Sequence, residues 1–260
     1  MKENLISHLL KLEKQKNITI LVAAVTGSHS FGLSSSNSDS DVRFIYAHNE
    51  VKSYLSISQP VDLIQMDEGS LDFVGWDLFK ASRLLLKSNP SLYELFKSPI
   101  QLISQLDYYR KVSDLMDRAF SKKVLGHHYF RMLWGNLQRL SEKKDSDIKE
   151  LKTWVQVYRS YVTLQYLIQK EPLPPINVWD LTDSVMLEET TKKRMTAIFM
   201  AKKDRHYSKI ESEENLNFLK GELPFLKEKL ANLSLGVNME EKLNQINWSI
   251  LKKEMGSWDI

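Results

Sequence analysis

Residues 18–27, ITILVAAVTG, are a near-continuous apolar run, rich in β-branched residues and closed by glycine. A half-exposed strand alternates apolar and polar residues, so a run without alternation is that of a central strand buried on both faces. The chain must therefore build layers on both sides of a sheet. DVRFIYAH reads as a second strand. YLSI, VDLIQM and SLDFVGW read as further short strands, with MDEGS as a turn between the last two. From WDLFKASRLLLKS onward the period becomes helical: Leu78, Phe79, Leu84 and Leu85 give a stripe, and Asp77 sits in the first turn, where the dipole favours it. Asn89-Pro90 ends that helix and starts the next. LDYYRKVSDLMDRAF, GHHYFRMLWGNLQRLSE and LKTWVQVYRSYVTLQYLIQK continue as helices, and EPLPPINVWD is a loop between helical layers. The expected class is α+β: a small mixed sheet domain over residues 1–103, followed by an all-helical C-terminal domain over 104–260.

Composition narrows the function classes. With no cysteine among 260 residues, disulfides, thiolate metal sites and cysteine nucleophiles are all excluded, and a reducing cytoplasm is the expected setting. The N-terminal MKENLISHLLKLEKQKN reads as an amphipathic helix rather than a signal peptide, and no apolar run reaches the ~18 residues of a membrane span. A net charge of +3 does not by itself mark a nucleic-acid binder. The charge is uneven, however: residues 192–209 hold seven Lys/Arg against the single Asp204. That block reads as a solvated helix face, with an RNA- or phosphate-facing surface as the alternative.

The chemistry concentrates in TGSHSFGLSSSNSDSDVRFIY, residues 26–46. Residues i and i+2 of a strand share a face, so Asp39 and Asp41 at the start of DVRFIY aim two carboxylates at one place. Two such charges repel unless a cation lies between them. Hard oxygen ligands without cysteine suit Mg²⁺ or Mn²⁺, and Mg²⁺ in turn suits phosphates. Gly27-Ser28, at a strand end, offers a closely approachable backbone, N–H donors and a hydroxyl. A two-metal phosphoryl-transfer site wants a third carboxylate, for which Asp72 and Asp62 are the candidates; Asp72 is favoured, its alternative role being a helix cap.

GSHSFG, then DSDSDVRFIY, then VGWDLFKASRLLLKSNPSLYELFKSPI together resemble the DNA-polymerase-β superfamily of nucleotidyltransferases. The nearer resemblance is to the bacterial and phage nucleotidyltransferase family associated with RNA-ligase repair operons. It covers residues 17–103 well, and HHYFRMLWGN and LKTWVQVYRS more weakly. The resemblance implies that Gly27 and Ser28 hold a nucleoside triphosphate such as ATP, that Asp39 and Asp41 hold Mg²⁺, and that Asp72 is the third carboxylate, as base or metal ligand. It further places Lys80, Lys152 and Arg159 on family basic positions that would balance triphosphate charge, although lysines on helices are commonly just solvated. The chain departs from the family at His29, where arginine is usual, and at Val25-Thr26, where an acidic residue often stands. His29 can donate to a phosphate but lacks the fixed guanidinium fork.

Other motifs carry less. His127-His128 point about 100° apart on a helix and are read as packing or surface residues. Trp76, Trp134, Tyr158 and Tyr161 are read as core, with stacking on a base as the alternative for Trp76. The serines at 34–36 and 38 lack a hydrolase context, and no GxxxxGK[ST], GxGxxG or HExxH is present. The expected activity is transfer of a nucleoside monophosphate to an acceptor hydroxyl, an RNA or tRNA end being favoured over a protein or small molecule. The rival is a nucleotide-binding regulatory or antitoxin-like module without turnover.

Overall fold

The computed structural model describes residues 1–36, 38–67, 69–142, 147–204 and 212–255. Contacts divide the chain into two compact units, the first made of residues 1–30, 39–120 and 237–260, the second of 31–38 and 121–236. The division at residue 103 expected from the sequence thus does not follow the packing. Helix α5 (Leu106–Ala119) and helix α11 (Glu240–Met255) fall in the first unit, because both bury apolar faces there.

In the first unit, helix α1 (Lys2–Lys16) ends at Asn17, whose φ of 51° turns the chain directly into strand β1 (Ile18–Thr26). A four-residue helical turn, α2 (Gly27–Ser30), follows. Strand β2 (Ser40–His48) runs antiparallel to β1, and β4 (Leu71–Asp77) parallel to β2. With β3 (Leu63–Asp67) and β5 (Gln101–Ser104) at the edges, the five-stranded mixed sheet has the order β3-β4-β2-β1-β5. β1 is second from one edge and buried along its length, as its unbroken apolar run requires. A register shift between Ile20 and Val22 marks a bulge, and it explains why Ile18, Ile20, Ala23 and Val25 all reach the same core cluster, which strict alternation forbids. There they meet Leu5, Leu9 and Leu12 of α1, with Val42, Phe44 and Phe73. Gly75 lies opposite Phe44, whose ring a Cβ at Gly75 would meet at 2.2 Å; the glycine is what lets that ring lie across the sheet.

Helices α3 (Leu78–Leu86), α4 (Pro90–Lys97) and α5 pack on the strands. Asp77 is the N-cap of α3, its carboxylate accepting from Phe79 N, rather than a first-turn residue; the cap role weighed for Asp72 belongs here. Tyr54 donates to the other oxygen of Asp77 at 2.6 Å. Burial pushes the Asp77 carboxyl above its ordinary 3.8, the Tyr54 and backbone hydrogen bonds opposing this only in part. A carboxyl raised in the fold favours folding while protonated and loses that contribution as pH rises through the raised value. Asp77→Asn keeps a cap acceptor without the charge. Chemical denaturation across pH should show its stability relative to wild type increasing as pH rises through the raised value and levelling off above it.

YLSI is not a strand. Residues Val51–Leu55 form a 3-10 helix and Ile57 is fully exposed, because β4 occupies the free edge of β2 and leaves this segment nothing to pair with. β5 was not visible in the sequence.

The second unit packs α6 (Lys122–Ser141), α7 (Asp147–Gln169), α8 (Val178–Asp183), α9 (Glu189–Asp204) and α10 (Ser212–Leu230) around Trp154, Tyr129, Tyr158 and Phe199. Residues 31–38 join it: Phe31 O accepts from Val178 N at 3.1 Å, and Gly32 O from Trp179 Nε1 at 3.1 Å. Trp134, expected in the core, is 52% exposed. The buried stripe of α6 runs through Tyr129, Leu133, Leu137 and Leu140, and Trp134 is one residue, about 100°, off it. Tyr158 and Tyr161 are buried as expected. No helix among the described residues is long and apolar enough to cross a membrane.

Candidate active site

Strand register builds the site. Thr26 of β1 lies opposite Asp41 of β2, Asp41 opposite Asp72 of β4, and Asp72 opposite Asp67 of β3. Directly paired residues share a face, so one row across four strands holds three carboxylates. Asp39, two residues before Asp41, adds a fourth charge close enough to raise the Asp41 carboxyl. Asp67 could have been found in the sequence: MDEGSLD places Asp67 and Asp72 on the two arms of one hairpin, where the antiparallel register pairs them.

Gly27 closes over this row. Its φ is +64°, and a Cβ placed on it would lie 1.9 Å from Asp41 Oδ2. Backbone therefore touches the carboxylate, a contact open only to glycine. Ser30 Oγ donates to Gly27 O at 3.0 Å and fixes the turn. Ser28 and His29 are half-buried on the same turn, and His29 acts electrostatically on Asp41.

Arg43 is the residue the sequence reading missed. Two positions past Asp41 it shares that face, with Nη2 2.8 Å from Asp72 Oδ2 and 3.9 Å from Asp41 Oδ1. It also donates to the backbone carbonyls of Val42 and Asp72 at 3.1 and 3.2 Å. The same i,i+2 rule that singled out Asp39 and Asp41 applies to Asp41 and Arg43, so its position was legible. Even so, the Asp41 carboxyl is pushed up: burial is the largest cause, and Asp72 and Asp39 add to it against Arg43 and His29.

Within the first unit, Asp62 and Lys80 lie apart from this row. Asp62 is ion-paired to Lys80 at 2.9 Å, and its backbone carbonyl accepts from Asp77 N. Asp77 is five residues along β4 from Asp72, about 16 Å at strand rise. Of the two candidate third carboxylates the structure thus brings Asp72, not Asp62, beside Asp41, and Lys80 stays with Asp62. Arg159, in the second unit, is buried, its guanidinium carbon 4.0 Å from the Phe31 ring centroid and 5.5 Å from that of Tyr129. Lys152 is exposed on α7. In the basic block, Lys192 pairs with Asp183, Lys193 with Glu189 and Arg194 with Glu214; residues 205–209 lie outside the described residues. His127 is exposed, and His128 meets the edge of Tyr129.

An all-oxygen carboxylate row with no sulfur nearby fits a hard divalent cation in donor chemistry. Among the described residues, no three His, Asp or Glu side chains converge on one point as metal ligands, and Arg43 is the cation that the carboxylates meet.

The chain belongs to the RNA repair pathway DNA polymerase beta family (RlaP), whose model matches residues 1–249. This places it among nucleotidyltransferases and supports an enzyme. A Bacillus subtilis (strain 168) protein described as uncharacterized protein YcgL is 29% identical over 204 residues, spanning 78% of this chain and 77% of that one. A nucleotidyltransferase-like protein from Exiguobacterium sibiricum 255-15, known from a crystal structure, aligns over 97% of this chain and 80% of its own at 10% identity. Its TM-score of 0.31 is too low to bear on the fold.

Proposed function

We propose that the protein transfers a nucleoside monophosphate from a nucleoside triphosphate to an acceptor hydroxyl, an RNA end being the acceptor favoured by the family. The observation that carries this is the Asp41–Asp72 cross-strand pair closed over by Gly27. A phosphoryl group needs positioning and charge compensation more than covalent help from the protein, and this edge offers both. In the reaction the acceptor oxygen bonds to the α-phosphorus, the bond to the bridging oxygen breaks, and pyrophosphate leaves.

Asp39, Asp41 and Asp72 would hold Mg²⁺ or Mn²⁺, which when bound neutralises phosphate charge and lowers the pKa of the attacking hydroxyl. Asp72, with 42% of its side chain exposed, would serve as that ligand or take the hydroxyl proton itself. Gly27 N–H and the Ser28 hydroxyl would face the triphosphate, and His29 would donate to it. Arg43 orients Asp72 through a charge-assisted hydrogen bond. Lys80 is left out of the triphosphate set, being held by Asp62. The absence of cysteine suits a cytoplasmic setting.

The test is incubation with Mg²⁺ and each α-³²P-labelled nucleoside triphosphate, with and without tRNA and short RNA, comparing wild type, Asp72→Asn and Asp62→Asn. Label on RNA that disappears with Asp72→Asn and survives Asp62→Asn is the expected result. Label on protein would move the acceptor to a protein hydroxyl. Triphosphate binding without any transfer would support the regulatory module instead.

A further inference from the structure

We infer that the first unit carries a second binding site, remote from the carboxylate row, that takes an uncharged heteroaromatic ring of the nucleobase type. The 3-10 helix, the start of α3 and one face of α11 enclose a cavity of about 700 Å³, within the range that holds small molecules. It adjoins Asp77, and so lies about 16 Å along the strands from Asp41 and Asp72.

Three properties of its wall select the ligand. The first is aromatic surface: Phe79 and Tyr54 meet edge to face, and Trp248 stands at the rim with 59% of its surface exposed. Aromatic faces of this kind stack on planar rings regardless of sequence. The second is charge. Lys80 and Arg83 both meet Asp62, and Asp77 accepts from Tyr54 and Phe79 N, so these charges are partnered within the protein and form no cluster of cations for a polyphosphate. The third is Asn244, whose exposed amide has no hydrogen-bond partner among the described residues and faces the cavity. An amide presents a donor and an acceptor side by side, which matches the adjacent acceptor and donor on a base edge. A hydrocarbon ligand would leave that amide unused, and a triphosphate would find Lys80 and Arg83 already engaged by Asp62. A free nucleoside and an unpaired base in a strand present the same ring and the same chemistry. The site stands whether or not the carboxylate row transfers nucleotides.

The experiment uses the full chain labelled with 5-fluorotryptophan, the Trp248 resonance being assigned with Trp248→Phe. Adenosine, guanosine, cytidine and uridine are titrated in turn, followed by a short oligoadenylate. A saturable shift of the Trp248 resonance with at least one nucleoside is expected. Asn244→Ala should weaken it at least tenfold at unchanged melting temperature, and Asp41→Asn should leave it as in wild type. Tighter binding of the oligoadenylate than of adenosine would identify a strand as the source of the base, and equal binding a free nucleoside. The inference is overturned if no nucleoside shifts Trp248 at millimolar concentration, if Asn244→Ala binds like wild type, or if the shift disappears with Asp41→Asn.

Discussion

Asp41→Asn is expected to abolish nucleotide transfer while making the metal-free protein more stable. Removing one ligand of a phosphate-neutralising cation forfeits about 4 kcal/mol of transition-state stabilisation, roughly a thousandfold in rate. The stability change has the opposite sign because of where this carboxylate sits. Its folded pKa is raised, by burial first and by Asp72 and Asp39 next, so its contribution to folding is present when it is protonated and lost as pH rises through that raised value. Once ionised the group works against the fold, and asparagine removes that charge. Thermal melting in EDTA at pH 7 should therefore show a higher midpoint for Asp41→Asn, with the difference shrinking toward acid pH. A lower midpoint at pH 7 would mean that Arg43 compensates Asp41 more fully than its 3.9 Å distance implies.

Gly27→Ala should lose transfer to a similar degree and lose stability as well. A left-handed backbone costs a residue with a side chain about 1–2 kcal/mol. The new Cβ would also overlap Asp41 Oδ2, at 1.9 Å, so either the carboxylate or the turn must move. Overpacking of this kind adds about 1–3 kcal/mol. The double variant Gly27→Ala/Asp41→Ala separates the two costs: with the carboxylate gone the clash is relieved and only the backbone strain remains. Melting of the single and double variants checks this. Equal losses of stability in Gly27→Ala and the double variant, each against its own glycine parent, would refute the contact.

Much of this was legible in the sequence because short-range periodicity carries it. The unbroken run of β1 and the helical stripe of α3 each follow from one local rule; Asp39, expected to share the strand face of Asp41, instead lies just before β2 begins at Ser40. What escaped was register. Nothing in SLDFVGW says which residue of DVRFIY lies opposite Asp72, so that Asp72 and not Asp62 pairs with Asp41 could not be read from the sequence. YLSI has strand-forming residues but no edge to pair with, and tertiary competition overrode its propensity. Trp134 has helical spacing to buried neighbours, yet a single residue of rotation puts it outside. Lys80 was placed by family position, and the ion pair with Asp62 that holds it depends on a contact 18 residues away.

The order in which the chain is synthesised acquires a meaning from the segmentation of the first unit. Its sheet is encoded by residue 104, but α11, which packs against α3, α5 and the 3-10 helix, begins at Glu240. A nascent chain has made the whole carboxylate row long before it can seal the apolar surface that Leu243, Ile246, Ile250 and Leu251 bury. The sheet must therefore wait, only partly covered, while all of the second unit is translated. A message truncated between the end of β5 and the start of α11 would yield a product that carries Asp39, Asp41 and Asp72 on an unfinished fold, open to proteolysis.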